Sequence, residues 1–298
     1  MRNRDGGLQS LDRGLEILEV LAERPLSIDE LSRRLGCPRS TTYRTLVTLR
    51  RRHVVERDGH QARYVLGFGL LRLTRALLGR LPVRQIALGA MRELAASLGE
   101  SAVLTVRSGP FGIAVESIES ADPVRVVPAP GERVPLHVGA PMKALLAHLA
   151  PDEIEAHLGR PLERPTPRAV IDPKRLRREL GEIRQRGYAE SWEEVYRGAV
   201  GVAVPIIGAD GHAVASLGIA GPVHRFTPER VAAIAHKLLP AGKELSRRVQ
   251  AGSEPAKDLA APGPSLAEPR ASPRWGGLGA KRWSPPPQAQ PARERTRA

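Results

Sequence analysis

The chain lacks the residues that cross-link or chelate. It holds one cysteine, Cys37, in 298 residues, so neither an intramolecular disulfide nor a thiolate metal cage can form. A reducing compartment follows. No segment approaches the roughly 18 apolar residues in a row that would span a bilayer. The polar start, MRNRDGGLQS, has no apolar centre of a secretory signal. The expectation is a cytoplasmic protein that does not enter membranes. Catalytic patterns are missing as well. There is no H-E-x-x-H, no G-x-S-x-G and no G-x-x-x-x-G-K-[ST], and G-F-G-L-L-R lacks the third glycine of a dinucleotide loop. The 8 histidines do not fall at metal-ligand spacings. Neither an enzyme, a cofactor nor a metal is expected.

What the chain has is positive charge, unevenly spread. Lys and Arg number 46 against 32 Asp and Glu, a formal +14 that favours an anionic partner. Residues 1–80 carry 16 Arg, no Lys and 9 acids, a net +7; residues 81–252 carry +3 and residues 253–298 carry +4. Half of the excess thus sits in the first quarter of the chain. All of it there is guanidinium, the group suited to bidentate contact with phosphate or guanine.

That first quarter has a recognisable order. Leu11, Leu15, Leu18 and Leu21 recur at helical spacing and predict an amphipathic helix ending before Pro25. Ser27 with Glu30 three residues on is a capping-box pattern, and IDELSRRL then stops at Gly36. Pro38 suits the first turn of a third helix anchored by Thr42, Leu46 and Leu49. HVVER and ARYVLG flank Asp58-Gly59 and read as a hairpin. Helix, short helix, turn, helix and hairpin make a winged helix-turn-helix. Arg39, Ser40, Thr41, Tyr43, Arg44 and Thr48 lie outward or sideways on the third helix, and Arg63 lies with Arg57, His60 and Gln61 at the wing. Short hydroxyls and long donors near a helix N-terminus are what entry into the major groove of DNA requires. Cys37, at the tight turn, is sufficiently explained as a small buried residue.

From Gly67, FGLLRLTRALLGRL predicts one helix with a stripe of Leu70, Leu73, Leu77 and Leu81, more apolar than a small domain covers. The stripe is expected to be buried between two copies of the chain. Beyond it, strands SAVLTVRSG, GIAVESIE, VGVAVPII and AVASLGIAG mix with helices from Met91, Pro141, Lys174 and Thr227. Hairpin links, such as Ala209-Asp210-Gly211, imply an α/β (α+β) fold with a mainly antiparallel sheet rather than a βαβ series. The expected domains are 8–69, a winged helix-turn-helix; 70–252, a linker helix and α/β domain; and 253–298, a Pro- and Arg-rich disordered tail. The tail's Lys and Arg would add phosphate contacts or form an inert extension.

These segments resemble the IclR family of bacterial transcription regulators. The likeness rests on S-L-D-R-G-L-E-I-L, L-S-I-D-E-L-S-R-R-L-G, P-R-S-T-T-Y-R-T-L-V-T-L and R-Y-V-L-G. Further on it rests on P-L-H-V-G-A-P-M-K-A-L-L-A, R-G-Y-A-E-S-W-E-E-V, G-V-A-V-P-I-I-G-A-D-G and I-A-G-P with R-F-T-P-E-R. The resemblance implies a GAF-like effector-binding domain behind the winged helix, and a homodimer or homotetramer on operator DNA. It also implies a site for a small organic effector at Ala140, Pro141, Met142, Ser191, Trp192, Gly201, Gly218 and Ala220. The family pattern H-A-T-A-x-G-K is His137 to Lys143 here, with Met142 where the family has Gly. In the later loop the family often has an acid where this chain has Ser191, ahead of Trp192; a common Cys position is Gly201 here, and the family's S-x-S is Gly218-Ile219-Ala220, so several polar anchors are missing. An effector less polar than a keto acid is expected, or a ligand-blind regulator whose second domain only oligomerises. His137 reads as a hydrogen-bonded structural group, and Glu193 and Glu194 as solvated acids or partners of a cationic ligand.

Overall fold

The computed structural model describes residues 8–59 and 62–252, in two compact units divided after Gly67. The tail beyond Gly252 lies outside the described residues. In the first unit, helix α1 (Gln9–Glu23) precedes α2 (Ile28–Arg34) and α3 (Arg39–Arg51). The buried arc of α1 differs from the expected leucine stripe. Gly14, Ile17 and Leu21 face the core, whereas Leu11 and Leu15 are 59% and 52% exposed. Gly14 lies on the side turned to α3, where a methyl group would meet Leu49 and Thr45 at an ordinary contact distance of 3.9 Å, and Leu18 packs at the edge of the core.

Local chemistry sets the next two helices. Ser27 Oγ accepts from the Glu30 amide at 3.3 Å and the Ser27 amide donates to Glu30 Oε2 at 2.8 Å, closing the expected capping box. After Gly36, at φ 60°, the turn into α3 is held by Thr42. Its buried hydroxyl accepts from Ser32 Oγ at 3.0 Å, donates to the Pro38 carbonyl at 3.3 Å and lies 3.2 Å from Cys37 Sγ. Pro38 stands one residue earlier than expected, as the N-cap, where its missing N–H leaves no helical bond unmade. Strands β1 (Val55–Arg57) and β2 (Tyr64–Leu66) pair antiparallel as the wing, and Leu26 exchanges backbone bonds with Tyr64 at 3.1 and 2.7 Å. Gly67 ends the wing because a Cβ there would fall 2.3 Å from the His53 carbonyl oxygen. Ile17, Leu21, Leu26, Leu31, Leu46, Val55 and Tyr64 form this unit's core.

The second unit begins with two helices, α4 (Gly69–Leu78) and α5 (Pro82–Leu98); the first ends short of Leu81, and the second starts well before the expected Met91. Pro82 forces the break: the residue before a proline avoids helical ψ, and Leu81 sits at φ −115°, ψ 74°. Leu81 therefore leaves the expected stripe. On α4 no side chain is buried, and Leu71, Leu73 and Leu77 are all more than half exposed.

The sheet follows: β3 (Ser101–Ser108), β4 (Phe111–Ile118), β5 (Arg133–Pro135), β6 (Ala189–Trp192), β7 (Ala199–Ile207) and β8 (Ala213–Pro222). Its order is β5-β4-β3-β8-β7-β6, and each neighbouring pair is antiparallel. Helices α5 and α9 (Pro228–Ala251) cover one face, with Leu104, Val202, Val204, Leu217, Ile219, Ile234 and Leu238 among the buried contacts. Helix α6 (Ala140–Leu146) lies on the other face, where it packs with α7 (Pro151–Leu158) and α8 (Pro173–Arg186) through Leu145, Leu146, Ile154, Leu176, Leu180 and Ala203. Strand β6 and helix α7 were not separate elements in the sequence reading. Both are short, and R-G-Y-A-E-S-W carries little alternation.

The capping box gives a stability test. The Ser27 amide and hydroxyl hold the Glu30 carboxylate well below its ordinary range, at about 2. Its depressed folded value means the stabilisation is present above about pH 4.5 and is lost as pH falls toward about 2. Ser27→Ala is expected to lower unfolding free energy by about 1 kcal/mol in urea titrations at pH 7. A loss below about 0.3 kcal/mol would remove the box from the forces holding α2.

Candidate functional site

The first unit presents the N-terminal half of α3. Arg39, Ser40, Tyr43, Arg44 and Thr48 are exposed, while Thr42 and Leu46 on the opposite side are buried. Thr41 is half-buried and its carbonyl accepts from Thr45 Oγ1 at 3.1 Å. Thr48 Oγ1 donates to the Arg44 carbonyl at 3.2 Å, so its own helix already engages that hydroxyl. A groove of about 570 Å³ runs between this helix end, the start of α2 and the wing, lined by Ser27, Arg39, Ser40, Tyr43, Arg57 and Tyr64.

Two arginines proposed for contact have intramolecular partners that the spacing did not reveal. Arg39 Nη1 lies 2.9 Å from Asp29 Oδ1. Arg63 Nη1 donates to the Pro25 carbonyl at 3.1 Å and stands 3.9 Å from Glu30, so it ties the wing to the start of α2. His60 and Gln61 lie outside the described residues.

In the second unit, strand register assembles the other set. Ser101, Ala220, Gly201 and Ser191 lie abreast across β3, β8, β7 and β6, and Val103, Gly218, Ala203 and Ala189 form the adjoining row. Both rows face α6. A methyl group on Gly218 would stand 3.1 Å from Pro141 Cγ, and one on Gly201 would stand 3.3 Å from Ser191 Oγ and 3.5 Å from Ala140 Cβ. Met142 is buried, and its Cγ would be 2.7 Å from a methyl group on Gly112. It thus closes the space next to Thr105, as the departure from the family's glycine implied. The Ser120 amide donates to Ser101 Oγ at 3.1 Å and pins the loop after β4 against the end of the small-residue row. Ala140, Pro141, Met142, Ser191, Gly201, Gly218 and Ala220 thus share one face of the sheet.

Trp192 does not. It follows Ser191 on a strand, so its side chain takes the opposite face and packs with the α5 and α9 core. Its place among effector residues is corrected by that alternation. Ser101 and Ser120, absent from the sequence reading, border the small-residue face instead; the β3–β8 register was the signal needed.

Glu194 is also corrected. It is neither solvated nor open to a cationic ligand: its Oε1 accepts from the fully buried Lys143 Nζ at 2.6 Å and its Oε2 from the Gly139 amide at 2.9 Å. Glu179 on α8 is the second carboxylate on Lys143. Burial pushes the Glu194 carboxyl above its ordinary value, against the pull of Lys143. Glu193 instead accepts from the Gly198 amide at 2.7 Å and closes its own turn. His137 is a structural group, as expected. Its Nε2 meets the Glu163 carbonyl at 2.8 Å and its Nδ1 meets His157 Nε2 at 3.3 Å. Burial lowers both histidines, His157 to about 4, with the neighbouring His137 adding to the shift.

A winged helix-turn-helix with an exposed basic reading helix, followed by an antiparallel sheet domain with a helix over a small-residue floor, defines a two-domain DNA-binding regulator. Comparisons with known proteins agree. A profile described as "IclR helix-turn-helix domain" matches residues 10–59, and one described as "Bacterial transcriptional regulator IclR C-terminal" matches residues 75–247. The chain is 34% identical over 255 residues to the HTH-type transcriptional regulator BhcR of Paracoccus denitrificans, covering 85% of this chain and 90% of the relative. It is 31% identical over 227 residues to the transcriptional repressor AllR of Escherichia coli, covering 75% and 84%. Among solved structures, IclR of Thermotoga maritima matches with a TM-score of 0.70 at 29% identity, covering 82% of this chain and 99% of that one. An IclR homologue from Microbacterium hydrocarbonoxydans, solved with 4-hydroxybenzoate, matches with a TM-score of 0.67 at 27% identity, covering 80% and 100%. This chain belongs to the IclR family and is a DNA-binding transcriptional regulator with an effector-binding second domain. Among the described residues, no helix is long and apolar enough to cross a membrane.

The buried charges and histidines yield two tests. Lys143→Met would strand Glu194 and is expected to cost about 3–5 kcal/mol by chemical denaturation, since a buried charge losing its partner is costlier than the pair. A cost under about 1 kcal/mol would mean that water reaches the site. His157 has a folded value below its unfolded 6.5, so the unfolded chain binds the extra proton. Stability is therefore expected to fall as pH drops from about 6.5 to about 4, and His157→Gln to flatten that stretch of the melting-temperature profile.

Proposed function

We propose that Arg39, Ser40, Thr41, Tyr43, Arg44 and Thr48 form the operator-reading surface, that the face shared by Ala140, Ser191, Gly201 and Ala220 takes a small organic effector, and that the regulator works as a homo-oligomer. One observation carries the reading: α3 buries Thr42 and Leu46 while turning hydroxyls and guanidinium groups outward from its first turns. That is the arrangement by which a helix is anchored on its domain and enters a major groove. Arg63 supports the interface by fixing the wing.

The effector is a small, weakly polar molecule. The floor of its site is glycine, alanine and serine. The nearby cations are already engaged, Lys143 by Glu194 and Glu179, and Arg225 by Glu100 at 2.8 and 2.6 Å. A dianionic ligand would find no unpaired partner among them. The exposed Leu8, Leu11 and Leu15 of the first unit and Leu71, Leu73 and Leu77 of α4 support burial against a second copy, since stripes of this kind are costly in water. The net +7 of residues 1–80 supports phosphate contacts in the first unit, and the cytoplasm is the compartment where operator DNA is met.

On DNA selected by the protein from a random pool, Arg44→Ala is expected to weaken binding by about 1–3 kcal/mol and to relax the preferred sequence. Wild-type affinity in that variant sinks the groove assignment. Thermal shift with aromatic and keto acids, 4-hydroxybenzoate included, should raise the melting temperature for at least one weakly polar member. A flat response across the panel leaves the ligand-blind regulator as the better account. Leu73→Asp with Leu77→Asp should yield monomers by light scattering; an unchanged oligomer would move the interface off α4.

A further inference from the structure

Asp29 stands in the first turn of α2 and Arg39 opens α3, with Nη1 and Oδ1 2.9 Å apart. Their side chains are 59% and 67% exposed, so the pair adds little to fold stability and can exchange with solvent ions. Helix α2 does not require it as a cap, because Ser27 and Glu30 already form the capping box. The neighbouring Glu30 is held by the Ser27 amide and faces Arg24 and Arg63, whereas the Asp29 carboxylate faces Arg39. Arg39 and Arg57 are the cations along the groove and Asp29 its carboxylate, so this one acid cancels half of the groove's positive charge.

We infer that Asp29 is an intramolecular counter-ion of Arg39 that DNA phosphate must displace, and that it lowers the affinity of this regulator for DNA of arbitrary sequence. The inference rests on the reading that Arg39 faces DNA. Phosphate approaching Arg39 meets a carboxylate already on the guanidinium, and the two anions repel until the pair opens. Any DNA incurs that cost. A sequence that also satisfies Tyr43, Arg44 and Ser40 stays bound through base contacts despite it, whereas arbitrary DNA held by phosphate alone does not, so the acid lowers background occupancy while leaving the ratio of the two affinities unchanged. The same charge, placed farther from Arg39, would simply reduce the potential of the whole face.

The full chain is titrated by fluorescence anisotropy against a random-sequence 25-bp duplex at several salt concentrations. Asp29→Asn is expected to tighten binding about fivefold at low salt, the effect of one unit charge some 4 Å away in a water-like medium. It should also steepen the slope of log affinity against log salt by about one, as one more phosphate is engaged. In an Arg39→Ala background the same substitution should change neither quantity. Asp29→Ser is measured beside it, and melting temperatures check that α2 remains folded in both. An unchanged affinity and slope in the two variants overturns the inference. So does a gain that persists without Arg39, which would assign the effect to general charge. Should Arg44→Ala weaken binding while Arg39→Ala does not, the counter-ion idea falls and the groove reading stands; should neither weaken it, the groove reading itself has failed.

Discussion

The two-faced alternation of the six-stranded sheet governs the second unit. On β7 and β8, Val200, Val202, Val204, Leu217 and Ile219 point to α5 and α9, and the residues between them are Gly201, Ala203, Gly218 and Ala220. Branched side chains fill one face and near absence of side chain marks the other. A thick helical layer can sit on the first. Only a helix brought very close can sit on the second, and the N-terminus of α6, with Ala140 and Pro141, does so. The small-residue floor beneath α6 is therefore a by-product of where the sheet leaves its side chains off.

In the first unit a comparable role falls to Thr42. One buried hydroxyl links Ser32 on α2, Cys37 in the turn and the Pro38 carbonyl, so the angle between the short helix and the reading helix is held by hydrogen bonds as well as by Leu31 and Leu46. Electrostatics then acts on a rigid frame. Acids of the α2 first turn reach both Arg39 and Arg63, so this basic face carries its own opposing charges.

Much of this was legible beforehand because it depends on neighbours in sequence. The capping box at Ser27 and Glu30, the turn at Gly36 and the hairpins at Asp58-Gly59 and Ala209-Asp210-Gly211 are all local chemistry. Family resemblance supplied the rest of the architecture, and it brought seven of eight expected effector residues to one face. The eighth, Trp192, was misplaced because a loop was assumed where a four-residue strand exists, and a strand inverts each successive side chain. The α1 stripe failed for a different reason. Leucine spacing identifies an apolar face, but the buried arc of Gly14, Ile17 and Leu21 is set by the partners packed against it, which lie far off in sequence. Long-range pairs such as Lys143 with Glu179 and Glu194 join residues 36 and 51 positions apart, and nothing in either neighbourhood announces them.

The sheet's borders carry a consequence of their own. Its outermost strands, β5 and β6, are 3 and 4 residues long, whereas β7 and β8 within it run to 9 and 10. Unpaired backbone groups at a sheet margin are templates for a stranger's strand, and short margins offer few of them. The chain is thereby steered away from amyloid-like growth. Leu71, Leu73 and Leu77, exposed instead on a helix, offer no such backbone template.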